Sequence, residues 1–473
     1  MVVGDLPEAT ELAIIGAGPG GYVAAIRAAQ LGKEVTVISK DELPGGVCLL
    51  RGCIPSKALI EASKLYEKIP SLETMGIFVE NPRIEVEKLQ VWKEQVVQKM
   101  GKGVLQLFKQ NGIKFIVGEA VFQNNKTLEI RTAEGNQTLQ FENCIIATGS
   151  RPRPIPNFEF DGERILSSKG ALSLKEAPAN FLVIGGGYIG LELGGVYARI
   201  GSKVTVVEAT DQLLPGLDPD LLRPLKKKLK ALNVDVHLQT LATGCKVNQS
   251  GITVTLKDTE GQEREETYDR ALVSVGRMPN TKGFGLENTG VQLDDHGFIQ
   301  INDRCQTASP AIYAIGDVVG GMMLAHKASR EGKIAAANIA GQVDAFDNQV
   351  PAIVFTEPEI SYVGLSEPDA KKQGIEVDTG MFPFAALGRA QTMNQTDGFV
   401  KVVAEKGTGR VLGVQMVGPH VSDLIAEATL GIEMGATIED FSLTIHSHPT
   451  LPEALEEAME AVTGMSVHRY QRR

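Results

Sequence analysis

Two cysteines, Cys48 and Cys53, stand with four residues between them in GGVCLLRGCIPSK, residues 45–57. In a regular helix, positions five apart hold their Cα atoms roughly 8.6 Å from each other, given the rise and radius of the helix. A disulfide takes about 4.4–6.8 Å. A bonded pair therefore requires an irregular turn, and the neighbours permit one. Gly45, Gly46 and Gly52 tolerate unusual backbone angles, and Pro55 removes a donor. A disulfide held in imperfect geometry is easily reduced, so the pair reads as a redox switch rather than a staple. Further titratable groups stand near the C-terminus in TIHSHPTLPE: His446, His448 and Glu453. The two histidines lack a third ligand at metal-binding spacing, so no metal is expected.

The elements that could position such groups begin with residues 11–15, which read as an apolar strand. GAGPGG follows, with Gly16, Gly18 and Gly21, then a helix from YVAAIRAAQLG and a second strand from EVTVIS. Glycines so placed let the backbone turn tightly and approach a pyrophosphate at the helix N-terminus. The plan recurs in FLVIGGGYIGLELGGVYARIGSKVTVVE, with Gly185, Gly187 and Gly190. Such a unit usually ends its second strand with an acid that meets ribose hydroxyls. Glu208 fills that slot in the second copy. Ser39 holds it, in the same register, in the first, where Asp41 or Glu42 is the other group able to reach. A glutamate accepts a free 2′-hydroxyl and repels a 2′-phosphate, so the second copy should take NAD rather than NADP. Two copies imply two dinucleotides.

The rest of the chain sets bounds. Its 473 residues allow two to four domains. A net charge of −11 argues against nucleic-acid binding. No apolar run is long enough to cross a bilayer, and MVVGDLPEAT lacks a basic-then-apolar signal, so no membrane partner and a cytoplasmic location are expected. Five cysteines are too few, and odd in number, for a disulfide-built scaffold. Residues 61–111 read as helical, with Trp92 as a packing residue. RPRPIP, residues 151–156, reads as a linker. Beyond residues 349–351 the pattern turns to α+β.

GGVCLLRGCIPSK resembles GGTCLNVGCIPSK, the active-site signature of the flavin-dependent pyridine nucleotide–disulfide oxidoreductases. The resemblance runs from about Glu11 to the C-terminal region, through both fingerprints, CIIATGSRP, ALVSVGRMPN, IYAIGDVVG and the HxHPTxxE pattern, and is strongest to the members that oxidise dihydrolipoamide. It implies an α/β fold with two Rossmann-like dinucleotide-binding domains, for FAD and NAD, plus a C-terminal α+β dimerisation domain. The flavin domain would comprise 1–150 and 280–350, the NAD domain 151–279 and the dimerisation domain 351–473. It implies FAD contacts from Gly16, Gly18, Gly21, Ser39, Lys40, Gly46, Lys57, Gly118 and Gly149, with Asp317 at the ribityl chain and Ala325 at the ring edge. NAD contacts would come from Gly185, Gly187, Tyr188, Gly190, Glu208 and Gly276.

By the same resemblance Cys48 and Cys53 form the redox disulfide, with Cys53 nearer the flavin, and Lys57 pairs with Glu192 beside it. His448 is the acid–base, oriented by Glu453 and acting across a homodimer interface, with His446 in support. The implied reaction is NAD-dependent oxidation of protein-bound dihydrolipoamide to lipoamide. The implied partners are lipoyl domains and the core acyltransferase of 2-oxoacid dehydrogenase complexes, or a glycine cleavage system. The alternatives are another FAD-dependent disulfide reductase of the family and a non-catalytic flavoprotein scaffold subunit. Two departures from the pattern stand out. Ser39 lacks the ribose acid, and Leu50-Arg51 replaces Asn-Val, where a cation close to a thiol would lower its pKa.

Overall fold

Short apolar runs punctuated by glycine turns become two parallel sheets in the structure, a computed structural model that describes residues 8–249 and 251–470. Strand Glu8–Ile15 lies between Val35–Ser39 and Gly135–Ile146, parallel to both, and Lys114–Val117 extends the sheet beyond Val35–Ser39. Val35–Ser39 and the C-terminal ends of Glu8–Ile15 and Gly135–Ile146 are buried on both faces, which is why they read as continuous rather than alternating apolar runs. Strands Thr127–Thr132 and Glu119–Asn124 add an antiparallel flap. The last strand, Ile312–Ala314, joins parallel to Gly135–Ile146 from far down the chain.

The intervening chain builds the second parallel sheet, in the order Asp235–His237, Lys203–Val207, Asn180–Ile184, Arg270–Val273, Ile165–Leu166. A third sheet is wholly antiparallel, with Ala352–Val354, Glu359–Gly364, Val411–Gly418, Phe399–Glu405 and Val377–Pro383 side by side. Helices Val421–Glu433 and Glu453–Val462 pack on it through Leu424, Ile425, Leu455 and Met459. At Gly380 a Cβ would stand 2.2 Å from the Ala458 carbonyl, so this close helix–sheet approach requires glycine.

Three sequence expectations change. The helix expected over 61–111 is two α-helices, Cys53–Lys68 and Val86–Gln110, because Pro70 turns the chain into a 3₁₀ helix over Ile69–Met75, and Gly76 at φ 79° and Asn81 at φ 46°, the latter followed by Pro82, then break it. Trp92 is not a core residue. It is 44% exposed, in a region that also exposes Ile77, Phe78 and Val91. The expected linker begins as a strand, Ser150–Pro152, paired antiparallel with Arg277–Pro279. Among the described residues no helix is long and apolar enough to cross a membrane, and no cluster of three or more metal-ligating side chains exists.

The second and third sheets are joined by buried charge. Lys401, from strand Phe399–Glu405, reaches Asp218 at 2.8 Å and Glu367 at 3.1 Å. Asp218 also caps helix Pro219–Ala231 by accepting from the Asp220 amide. Both Lys401 and Asp218 are more than nine-tenths buried. Removing one partner of a buried pair leaves an uncompensated charge, at about 3–5 kcal/mol. Lys401→Met should therefore lower the melting temperature clearly in a calorimetric scan. An unchanged transition would show that the cluster contributes nothing to holding the two sheets together.

Candidate active site

Helix Gly46–Arg51 ends after Cys48, and Cys53 opens helix Cys53–Lys68. The break falls at Gly52 (φ −146°, ψ −108°), where a Cβ would sit 2.8 Å from the Val47 carbonyl. This is the irregular turn the spacing demanded, and it brings the two thiols into hydrogen-bond contact. Both cysteines are in the thiol state. Cys48 keeps its proton, because donating to Cys53 and then burial both raise its pKa far above the ordinary thiol range. Cys53 is pushed down to about 7, first by the hydrogen bond from Cys48 and then by the Lys57 cation, against burial and the Glu192 carboxylate.

Lys57 lies one turn beyond Cys53 on the same helix face. Its Nζ meets Glu192 Oε2 at 2.9 Å and stands 4.2 Å from the centroid of the Phe355 ring. Glu192 Oε1 accepts from the Phe355 amide at 3.0 Å. Glu192 belongs to helix Tyr188–Arg199 of the second fingerprint, so the pair joins two regions 135 residues apart in the chain.

These groups stand in a cleft of about 490 Å³. Gly16, Gly18, Ser39, Lys40, Gly46, Lys57, Gly149, Asp317 and Ala325 line it with both cysteines, Tyr188 and Glu192. Gly16 is at φ 105°, where a Cβ would strike the Ala147 carbonyl at 2.3 Å, whereas a Cβ on Gly18 would meet nothing. Helix Pro19–Gln30 begins at Gly18 with no side-chain cap and no acid in its first turn. Bare helix amides behind an open glycine fit a pyrophosphate. Asp317 sits three residues past strand Ile312–Ala314, accepts from Ser150 Oγ, and lies 3.7 Å from Arg277. Sequence reading did not single out Ser150 or Arg277, since only the Ser150–Pro152 and Arg277–Pro279 ribbon brings them together.

Other expected site residues lie outside this cleft. Gly21 packs the first helix on its own turn, since a Cβ there would overlap the Gly16 carbonyl. Gly118 donates to the Ser39 carbonyl at 2.8 Å and lines an adjoining open groove. Gly185, Gly187 and Gly190 repeat the first turn in the second sheet, with Gly185 at φ 106° and Gly187 open to solvent. Glu208 Oε2 accepts from the Gly186 amide at 2.6 Å. Gly276, at φ 106°, accepts through its carbonyl from Arg153.

His448 Nδ1 meets Glu453 Oε1 at 2.7 Å, and Glu453 Oε2 accepts from the Thr450 amide at 2.7 Å. Among the described residues Glu453 is the only polar partner of His448, whose side chain is 77% exposed, so imidazole and thiols do not meet within one chain. His446 is buried between Glu427 and Glu456, a structural place.

The family descriptions agree with this arrangement. Residues 10–332 match "Pyridine nucleotide-disulphide oxidoreductase", and residues 350–459 match the dimerisation domain of the same name. The chain belongs to the pyridine nucleotide-disulphide oxidoreductases. It is 50% identical over 469 residues to a dihydrolipoyl dehydrogenase of Geobacillus stearothermophilus, covering 99% of each chain. It is 48% identical to one of Haloferax volcanii, covering both fully. Among solved structures, LpdA of Mycobacterium tuberculosis superposes with a TM-score of 0.89 at 29% identity, over 95% of this chain and 99% of that one. RclA of Escherichia coli, an HOCl-induced flavoprotein disulfide reductase, gives 0.84 at 27% identity, over 95% and 99%. The family uses FAD and NAD.

The dithiol makes a titration testable. Cys48→Ser keeps a hydrogen-bond donor, so thiolate absorbance from Cys53 should still appear around pH 7. Cys48→Ala or Lys57→Met should move that midpoint upward, the second by removing the stabilising cation. A parent midpoint at the ordinary thiol value of 9.0 would contradict the assigned electrostatics.

Proposed function

We propose that the chain oxidises protein-bound dihydrolipoamide to lipoamide with NAD as acceptor, as the dehydrogenase component of 2-oxoacid dehydrogenase or glycine cleavage complexes. Its partners in this reading are lipoyl domains and the core acyltransferase, in the cytoplasm. The observation that carries the reading is the Cys48–Cys53 dithiol, at the glycine-lined cleft and tied by Lys57–Glu192 to the second fingerprint. Relatives named dihydrolipoyl dehydrogenase over nearly their whole length support the substrate. The division into a flavin domain (1–150 and 280–350), an NAD domain (151–279) and a dimerisation domain (351–473) belongs to the same reading.

The working unit is a homodimer in which His448 of one copy serves the cysteines of the other. Exposed His448, with Leu443 and Ile445 bare beside it, supports an intermolecular site. With Nδ1–H donated to Glu453, Nε2 is the base and takes a proton from one substrate thiol. The thiolate attacks Cys48 of the oxidised chain, breaking the Cys48–Cys53 bond and forming a mixed disulfide. Cys53 leaves as thiolate, held by the Lys57 cation. The second substrate thiolate closes lipoamide's ring and releases Cys48, which takes up a proton. FAD, when bound, supplies the two-electron link from this dithiol to NAD. Glu208, Gly185, Gly187, Gly190, Tyr188 and Gly276 hold the nicotinamide dinucleotide, and Glu208 excludes a 2′-phosphate.

Steady-state turnover of dihydrolipoamide should run with NAD and fail with NADP. Cys48→Ser and Cys53→Ser should each abolish it while retaining flavin, and full turnover in either would overturn the reading. His448→Gln should slow it by about 10²–10⁴-fold with the disulfide intact. An unchanged rate would remove His448 from the base role.

A further inference from the structure

The two fingerprints superpose hydrogen bond for hydrogen bond, and this exposes one difference. Gly16 donates to Ile38 at 2.8 Å as Gly185 donates to Val207 at 2.8 Å. Gly45 donates to the Ala17 carbonyl at 2.7 Å as Leu214 donates to that of Gly186 at 3.0 Å. In the second copy the strand-end acid then closes the site. Glu208 Oε2 takes the Gly186 amide, and Oε1 takes the Thr210 amide at 2.8 Å. In the first copy Ser39 Oγ accepts from the matching Asp41 amide at 3.3 Å, and its side chain extends no further. The counterpart of the Gly186 amide, Ala17 N–H, meets no acceptor among the described residues. A carboxylate nevertheless lines this cleft, two residues on. Asp41 is gripped by Arg51 through Nη1 and Nη2, each at 2.8 Å. Both residues face the cleft that holds Gly18 and Ser39. Arg51 is one of the residues by which the cysteine loop departs from the family signature.

We propose that Asp41, clamped by Arg51, receives the adenosine ribose hydroxyls in the first dinucleotide site, in place of the acid that Ser39 lacks. The inference rests on that site being the FAD site. A bidentate pair uses two of the four lone-pair directions of a carboxylate, leaving two for hydroxyl donors. The guanidinium fixes the carboxylate in one orientation, so Arg51 is a positioning residue. The charge has moved from the strand end to the loop that follows, and the cysteine helix holds it there. The other carboxylate at this end, Glu119, is paired with Lys40 at 2.6 Å and lies on the flap side of the cleft.

The test strips the full-length chain of flavin and titrates FAD back, following fluorescence quenching, with ADP and 2′-deoxy-ADP as competitors. The parent should prefer ADP by about 10-fold or more, the scale of a hydrogen bond to a charged group. Asp41→Ala and the near-isosteric Asp41→Asn should weaken FAD and erase most of that preference. Arg51→Val should weaken FAD less and reduce the preference in part. Ser39→Glu placed in the Asp41→Ala chain should restore both. A merely structural ion pair would lower the melting temperature without changing the ratio of the two competitors. An undiminished ratio in both Asp41 variants, or its loss in Glu119→Ala instead, overturns the proposal and leaves the FAD assignment standing. A parent chain that takes up no FAD overturns both.

Discussion

The ion pair between Lys57 and Glu192 is the interaction on which the site depends. Glu192 is almost wholly buried, and a buried carboxylate persists as an anion only with a cation and hydrogen bonds around it. Lys57 supplies the first and the Phe355 amide the second. These three residues come from the cysteine helix, the second fingerprint helix and the edge of the antiparallel sheet. The same contact that satisfies one buried charge therefore fixes how all three parts approach each other. It also sets the field at Cys53, since Lys57 faces that sulfur from the next turn and Glu192 partly offsets it. Stability and thiol chemistry meet in one pair of side chains.

The two α/β units show how one local solution serves twice. Each uses a glycine in the left-handed region to turn from strand to helix, and each leaves the helix amides open toward a cleft. The units differ in what surrounds the turn. The first carries an inserted pair of helices that bears the cysteines and packs against Gly18 through Gly46. The second carries a three-stranded antiparallel sheet, Leu241–Asn248, Gly251–Lys257 and Glu263–Tyr268. A shared backbone scheme thus holds different chemistry through what is inserted into it.

Features that depend on local pattern were legible in the chain. The glycine spacings and the need for a broken helix between Cys48 and Cys53 follow from periodicity and turn chemistry, while the return of residues 312–314 to the first sheet was implied by the family resemblance of IYAIGDVVG. Features that depend on long-range side-chain meetings were not. Arg51 was visible as a departure, but its partner Asp41 lies ten residues earlier across a turn, and no spacing rule connects them. Nothing in the run around Lys401 marks it as a buried cation, because its carboxylates come from regions 183 residues away and more locally besides. Trp92 was read as a packing residue, yet it falls off the buried stripe of helix Val86–Gln110, which runs through Leu89, Lys93, Val97, Gly101 and Val104. Short strands such as Ile165–Leu166 owe their form to their neighbours, and so carried no signal of their own.

The cluster around Lys401 has a consequence for motion. The lobe that bears Glu208 is latched to the antiparallel sheet by a cation with no solvent to replace its partners. Swinging that lobe open would strand the ammonium between two surfaces. A frame latched this way keeps its lobes in one relative pose, so electron pairs cross it without domain rotation.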